Sequence, residues 1–170
     1  YASSIYEVEI TDKLYESSDF PYNEELRGLK KTYANCLKYI ENLISKKESL
    51  LEIGCGNGFL LEEAIKLGWK NVIGVEPSHE AIKQSEPNIR KKIIHSTFKS
   101  NSFMKNSYDL IFFAMVLEHV PDVNEFLSEI FKILSPGGVV IGICHDERHF
   151  LSRLLKNKHP IINDEHNYVF

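Results

Sequence analysis

Apolar strands alternating with amphipathic helices, a glycine-rich turn directly after the first strand and an acid ending the second predict an α/β fold. The sheet should be doubly wound and mostly parallel, with helices on both faces. Strands buried on both sides read as short continuous apolar runs, and those are what this sequence contains. The 170 residues fit one domain with one core.

Residues 1–24 are rich in Tyr, Ser and acid and have no period, so they read as an irregular lead-in. The domain proper is expected over 25–170, with its core over 49–145. From Asn23 to Ser45 the positions Leu26, Leu29, Tyr33, Leu37, Ile40 and Ile44 recur at helical spacing. This predicts an amphipathic helix whose first turns Gly28 weakens. Ser49-Leu50-Leu51-Glu52-Ile53 predicts the first strand. Phe59 to Leu67 then reads as a helix closed by Gly68. Asn71 to Val75 is the second strand, stopped by Glu76-Pro77. Ser78 can cap a helix running to about Ser85. Lys92 to His95 is a short third strand, and Tyr108 to Phe113 a strongly apolar fourth. Pro121-Asp122 opens a helix to Leu134, with Asp122 able to accept from its free N–H groups. Ser135-Pro136-Gly137-Gly138 reads as a turn, and Val139 to Cys144 as the fifth strand. After it, Phe150 to Leu155 is helix-like. In such Rossmann-like sheets ligands lie beyond the carboxyl ends of the strands, where strand order reverses.

Composition narrows the function classes. An apolar fraction of 43% is ordinary for a globular protein. A net charge of −4 gives no global basic field to hold a phosphate backbone. No apolar run approaches the roughly 20 residues that span a bilayer. Tyr1-Ala2-Ser3-Ser4 does not open a signal peptide. Cys36, Cys55 and Cys144 are odd in number and far apart, which argues against a disulfide framework or thiolate zinc site and fits reduced thiols in the cytoplasm. The chain begins at Tyr and stops within an apolar run, Tyr168-Val169-Phe170, so a fragment of a longer protein is expected.

The loop Glu52-Ile53-Gly54-Cys55-Gly56-Asn57-Gly58 carries the chemistry. Its glycines allow a tight turn and a close ligand approach. Glu76 ends the second strand, where a carboxylate can accept from a ribose diol. The dinucleotide pattern Gly-x-Gly-x-x-Gly is not met, because the third glycine comes one residue early and Phe59 stands where the last should be. Glu52, two residues before the first glycine, would oppose a pyrophosphate but suits an ammonium or sulfonium.

Leu51-Glu52-Ile53-Gly54-Cys55-Gly56-Asn57-Gly58 resembles the first motif of class I S-adenosylmethionine-dependent methyltransferases. Glu76 resembles their second-strand acid, and Tyr108-Asp109-Leu110-Ile111 the start of their fourth strand. Leu117-Glu118-His119-Val120 resembles the following segment in the ubiquinone-type small-molecule group. Leu134-Ser135-Pro136-Gly137-Gly138 is similar to their turn before strand five. The likeness runs from about residue 49 to 145, and the five matches in order are specific where each alone is not.

The resemblance implies methyl transfer from S-adenosylmethionine, leaving S-adenosylhomocysteine (SAH), to a small-molecule acceptor. It implies that Gly54, Cys55, Gly56 and Asn57 hold the methionine part, that Glu52 orients it, and that Glu76, with Pro77 beside it, takes the ribose hydroxyls. Ser96-Thr97-Phe98 would lie by the adenine. Thr97 stands where many relatives carry an acid, so a hydroxyl or the Phe98 N–H takes its place; loop packing is the other reading of both. Met115 and Leu117 would lie near the ligand or else in the core. A sulfonium methyl is already activated, so no metal is needed, and a base matters only for a hydroxyl or protonated amine. His119 is the first candidate base and His145 the second; His119 read as a hydrogen-bonded residue fixing its loop stands beside that. The spacing His145-Asp146-Glu147-Arg148-His149 lacks the Glu directly after the first His that zinc proteases need. Asp164-Glu165-His166 reads as solvated surface, and Tyr6, Tyr15, Phe20 and Tyr22 either as a lid or as edge packing. Relatives usually have seven strands, and the last two, a hairpin beside strand five, are not placed in this sequence. Rival readings are a nicotinamide oxidoreductase and a non-catalytic or truncated domain. A nucleic-acid enzyme would show Asp/Asn-Pro-Pro-aromatic where this chain has Ala114-Met115-Val116-Leu117.

Overall fold

The computed structural model describes residues 26–40, 43–44 and 46–144, with side chains from residue 30 onward. Helix α1 (Leu26–Ile40) leads into β1 (Ser49–Ile53). There follow α2 (Phe59–Lys66), β2 (Asn71–Glu76), α3 (His79–Lys83), α4 (Pro87–Arg90) and β3 (Ile93–His95). A 3₁₀ turn, Ser100–Ser102, precedes β4 (Tyr108–Ala114), and another, Leu117–His119, follows it. Helix α5 (Val123–Ile133) passes directly into β5 (Leu134–Ile143).

The five strands form one parallel sheet in the order β3-β2-β1-β4-β5. The chain winds outward from β1 through β2 to β3, then returns to lay β4 on the other side of β1. Strand order therefore reverses between β1 and β4, and a crevice at their carboxyl ends follows from the topology. The doubly wound α/β expectation stands.

Each face has its own core. On one, Tyr33, Leu37 and Ile40 of α1 and Phe59, Leu60, Leu61 and Ala64 of α2 pack with Leu50, Val72, Leu110 and Phe112. On the other, Phe126, Ile130 and Ile133 of α5 pack with Leu51, Ile53, Val75, Ile111 and Phe113. Leu50 and Leu51 are adjacent and both fully buried, because helices cover both faces. Among the described residues no helix is long and apolar enough to cross a membrane.

Local chemistry sets the boundaries. The Ser78 hydroxyl caps α3 by accepting from Ala81 N–H, and Asp122 caps α5 by accepting from the N–H groups of Asn124 and Glu125. At the start of β4, Asp109 accepts from the N–H groups of Glu48 and Ser49, tying it to the start of β1.

Several boundaries differ from expectation. Among the described residues helix α1 covers Leu26–Ile40, and Leu43 and Ile44 lie beyond it. The helix after β2 stops at Lys83, and a further helix, α4, starts with Pro87 at its first position, where its fixed φ suits the turn. The fourth strand runs one residue longer, to Ala114. Strand β5 begins at Leu134, because Leu134 already pairs with Tyr108; Ser135 to Gly138 form an irregularity inside the ladder before Val139 pairs with Leu110.

Candidate active site

The glycine loop leaves β1 and curls against the end of β2. Gly54 N–H and Cys55 N–H both donate to Val75 C=O, at 2.9 and 3.1 Å. Gly56 N–H donates to Glu76 Oε2 at 2.7 Å, and Gly58 N–H to Cys55 C=O at 2.8 Å. These donors are used inside the fold and are not presented to a pyrophosphate, unlike a phosphate-binding loop at a helix N-terminus. Two positions require glycine. Gly54 has φ +70°, and a Cβ there would lie 2.7 Å from Val116 Cγ2. Gly58, with φ +76°, caps α2, and a Cβ there would run into Ile89 Cγ2.

Two carboxylates end the central strands, and both are buried. Glu76 accepts from Gly56 N–H with one oxygen and from Ser78 N–H with the other, at 2.7 and 2.8 Å. Burial raises its carboxyl above the ordinary value; those two N–H groups and nearby His95 oppose the rise. A carboxylate has about four acceptor sites, so capacity remains for a diol. Glu52 differs. It is 3% exposed, and its Oε2 is buried without a hydrogen-bond partner. Burial first, and the Glu76 charge second, hold this carboxyl well above the usual range. A cation placed against it would reverse that balance.

Residues of the loop divide by what they offer. The Cys55 side chain is buried against Gly74 of β2, and burial above all pushes its thiol up. Asn57 Oδ1 is a second buried acceptor without a partner. The Pro77 carbonyl lies 2.9 Å from His95 Nε2. Beyond β3, Thr97 is half-buried, and the Phe98 ring stacks on Phe103 and meets Phe126 edge-on, within the α5-side core. Leu117 also packs against that core.

The segment after β4 forms the opposite wall. Met115 has φ +55°, a left-handed conformation that costs a non-glycine residue about 1–2 kcal/mol. Its N–H donates to Ile143 C=O at 2.8 Å. This turn seats Val116 on Gly54 and buries Glu118 to 1% exposure. His119 is half-buried, with its N–H donating to Val116 C=O at 3.0 Å. His145, the second candidate base, lies outside the described residues, as do His149, the Asp164-Glu165-His166 cluster, the 150–155 helix and the aromatic lead-in.

Sequence reasoning assigned Tyr33 to the helix stripe and missed its place here. Its ring stacks on Phe59 at 5.5 Å between centroids and tilts against Phe112 at the same distance. Phe112 is the register partner of Glu52, so both face α1. Burial raises the phenol, and the charges of Glu52, Cys36 and Glu118 add to it. The available signal was one polar-tipped residue among Leu and Ile on a helix returning to the start of β1.

The sequence family described as a methyltransferase domain matches residues 22–170. An uncharacterized methyltransferase of Schizosaccharomyces pombe is 30% identical over 161 residues, covering 84% of this chain and 55% of that protein. A ubiquinone biosynthesis O-methyltransferase of Bradyrhizobium is 30% identical over 128 residues, covering 69% of this chain and 50% of its own length. Among solved structures, a plantazolicin methyltransferase in complex with SAH superposes with a TM-score of 0.65 at 22% identity, over 94% of this chain and 69% of that one. The chain spans about half the length of the curated relatives it matches.

Proposed function

The chain belongs to the methyltransferase domain family, and from that premise we propose that it binds S-adenosylmethionine at the carboxyl ends of β1 and β2 and directs methyl transfer to a small-molecule acceptor held against the loop after β4. The observation that carries this reading is Glu52: a buried carboxyl with an unpartnered oxygen, beside a glycine loop whose N–H groups turn inward. Such a site suits a cationic amino-acid end, and with the Gly54, Cys55, Gly56 and Gly58 N–H groups already used inside the fold it favours this reading over a nicotinamide enzyme.

The cofactor, when bound, supplies a sulfonium-activated methyl group. The chain's own residues do the rest. Glu52 and the backbone of Gly54, Cys55 and Gly56, with Asn57, hold and orient the methionine end. Glu76, pre-set by two backbone donors and flanked by Pro77, accepts from the ribose diol. The Thr97 hydroxyl and Phe98 N–H border the adenine, while the Phe98 ring stays in the core. Met115 and Leu117 close the apolar side and exclude water, which strengthens every polar contact inside. His119 takes a proton from a hydroxyl or ammonium acceptor, and His145 is the second candidate for that role. A net charge of −4 and the ubiquinone-biosynthesis relative favour a small acceptor over a polyanion. Three cysteines, odd in number and far apart in sequence, fit a cytoplasmic setting.

Titration calorimetry with S-adenosylmethionine, SAH and NAD tests this reading. Micromolar binding of the first two, absent for NAD and lost in Glu76→Ala, is expected. NAD binding would favour the oxidoreductase reading, and binding of none of the three would sink the cofactor assignment.

A further inference from the structure

We propose that the Tyr33 hydroxyl lines the position of the transferred methyl group and contacts whatever polar group enters there. The proposal rests on the cofactor reading above and adds a residue to it from outside the strand-end loops.

The geometry runs through two rings. Phe59 begins α2 directly after the glycine loop, and Phe112 lies opposite Glu52 in the strand pairing. Tyr33 is stacked on the first and tilted against the second, with 7% of its surface exposed. Its ring is therefore fixed at the seam between the loop that takes the methionine end and the wall that takes the acceptor. Burial raises its phenol, and the charges of Glu52 and Glu118 add to that rise. No hydrogen bond joins the hydroxyl to Glu118 or to Glu52 Oε2. The register pairing of Phe112 with Glu52 puts the Tyr33 ring on the same face of the sheet as that carboxylate. The methyl must cross this same seam.

Packing alone does not call for the hydroxyl. The neighbouring stripe positions of α1 are Leu37 and Ile40, and a phenylalanine would keep both ring contacts without bringing a polar atom into the core. A hydroxyl on a ring packed beside the Glu52 face is a donor and acceptor open to a ligand.

The test compares two cofactor analogues that differ where the methyl sits. SAH has a bare thioether there; sinefungin replaces the methyl-bearing sulfur with a carbon carrying an amine. Both are titrated calorimetrically into the whole chain and into Tyr33→Phe, with thermal melts as the folding control. Sinefungin is expected to weaken fivefold or more in the variant, while SAH stays within twofold. Equal losses for both ligands, or none for either, would overturn the proposal, because a purely structural Tyr33 cannot tell them apart. If Tyr33→Phe does not fold, Tyr33→Leu keeps the apolar stripe and is read by the same criterion. Failure of the wild-type chain to bind either analogue refutes the cofactor reading instead, and is a separate outcome.

Discussion

Replacing Glu52 with glutamine should make the ligand-free protein more stable and the cofactor bind worse. The carboxyl sits in the core with one oxygen unpartnered, and burial and Glu76 hold it well above the ordinary carboxylate value. An acid whose folded value is raised contributes stability below its unfolded value. That contribution is lost as pH rises through the folded value. Wild type therefore loses this contribution between about pH 4.5 and the raised folded value, and Glu52→Gln does not. An unsatisfied buried polar group costs about 1–3 kcal/mol, and more when charged. At about 2–4 °C per kcal/mol for a chain of this size, the variant should melt some 3 °C or more above wild type at pH 8. The gap should narrow toward pH 5; Glu76, whose carboxyl is also raised, is common to both proteins. With SAH at about a hundred times its Kd, wild type gains about 2.7 kcal/mol, or about 5–10 °C. Glu52→Gln should gain under about 2 °C. Melts followed by circular dichroism at pH 5 and 8, with and without SAH, give all four numbers. A variant that melts below wild type at pH 8, or that SAH stabilises equally, refutes the argument.

Other expectations follow from single positions. Gly58→Ala combines a left-handed backbone with a collision at Ile89 Cγ2, and should lower stability by about 2–4 kcal/mol, seen as a fall in urea midpoint. Asp122→Ala removes the acceptor of two helix N–H groups; about 1 kcal/mol of stability should go, with SAH affinity within twofold by calorimetry. Asp109→Ala frees the Glu48 and Ser49 N–H groups at the far end of the sheet, costing about 1–2 kcal/mol in denaturant titration and again sparing SAH binding.

Much of this was legible because periodicity and glycine position are local. Strand β1 was expected at Ser49 to Ile53 and lies there, since a polar stretch before it and Gly54 after it bound the apolar run. The Asp122 and Ser78 caps were readable for the same reason. Strand β5 was misread because the Ser135 to Gly138 sequence has turn chemistry, while the Leu134–Tyr108 pairing that extends the ladder comes from the partner strand. Helix α4 is a single turn, too short for any period to show. At the site, Glu52 and Glu76 could be placed by strand ends, but their burial could not, nor could that of Glu118. Phe98 sat evenly between adenine and packing until the positions of Phe103 and Phe126 put its ring in the core. Tyr33 comes to the Glu52 face of the sheet only through tertiary folding, and its polar tip in an apolar stripe was the one local signal.

The anchoring of the glycine loop to Val75 and Glu76 bears on how quickly a ligand can be captured. Amides of Gly54, Cys55 and Gly56 are bonded to β2 before anything binds, so they should exchange with deuterium only when β1 and β2 separate, at nearly the free energy of global opening. A loop already frozen in its working shape has little order left to lose. Association should then run near the rate set by encounter, with affinity differences among analogues falling on dissociation.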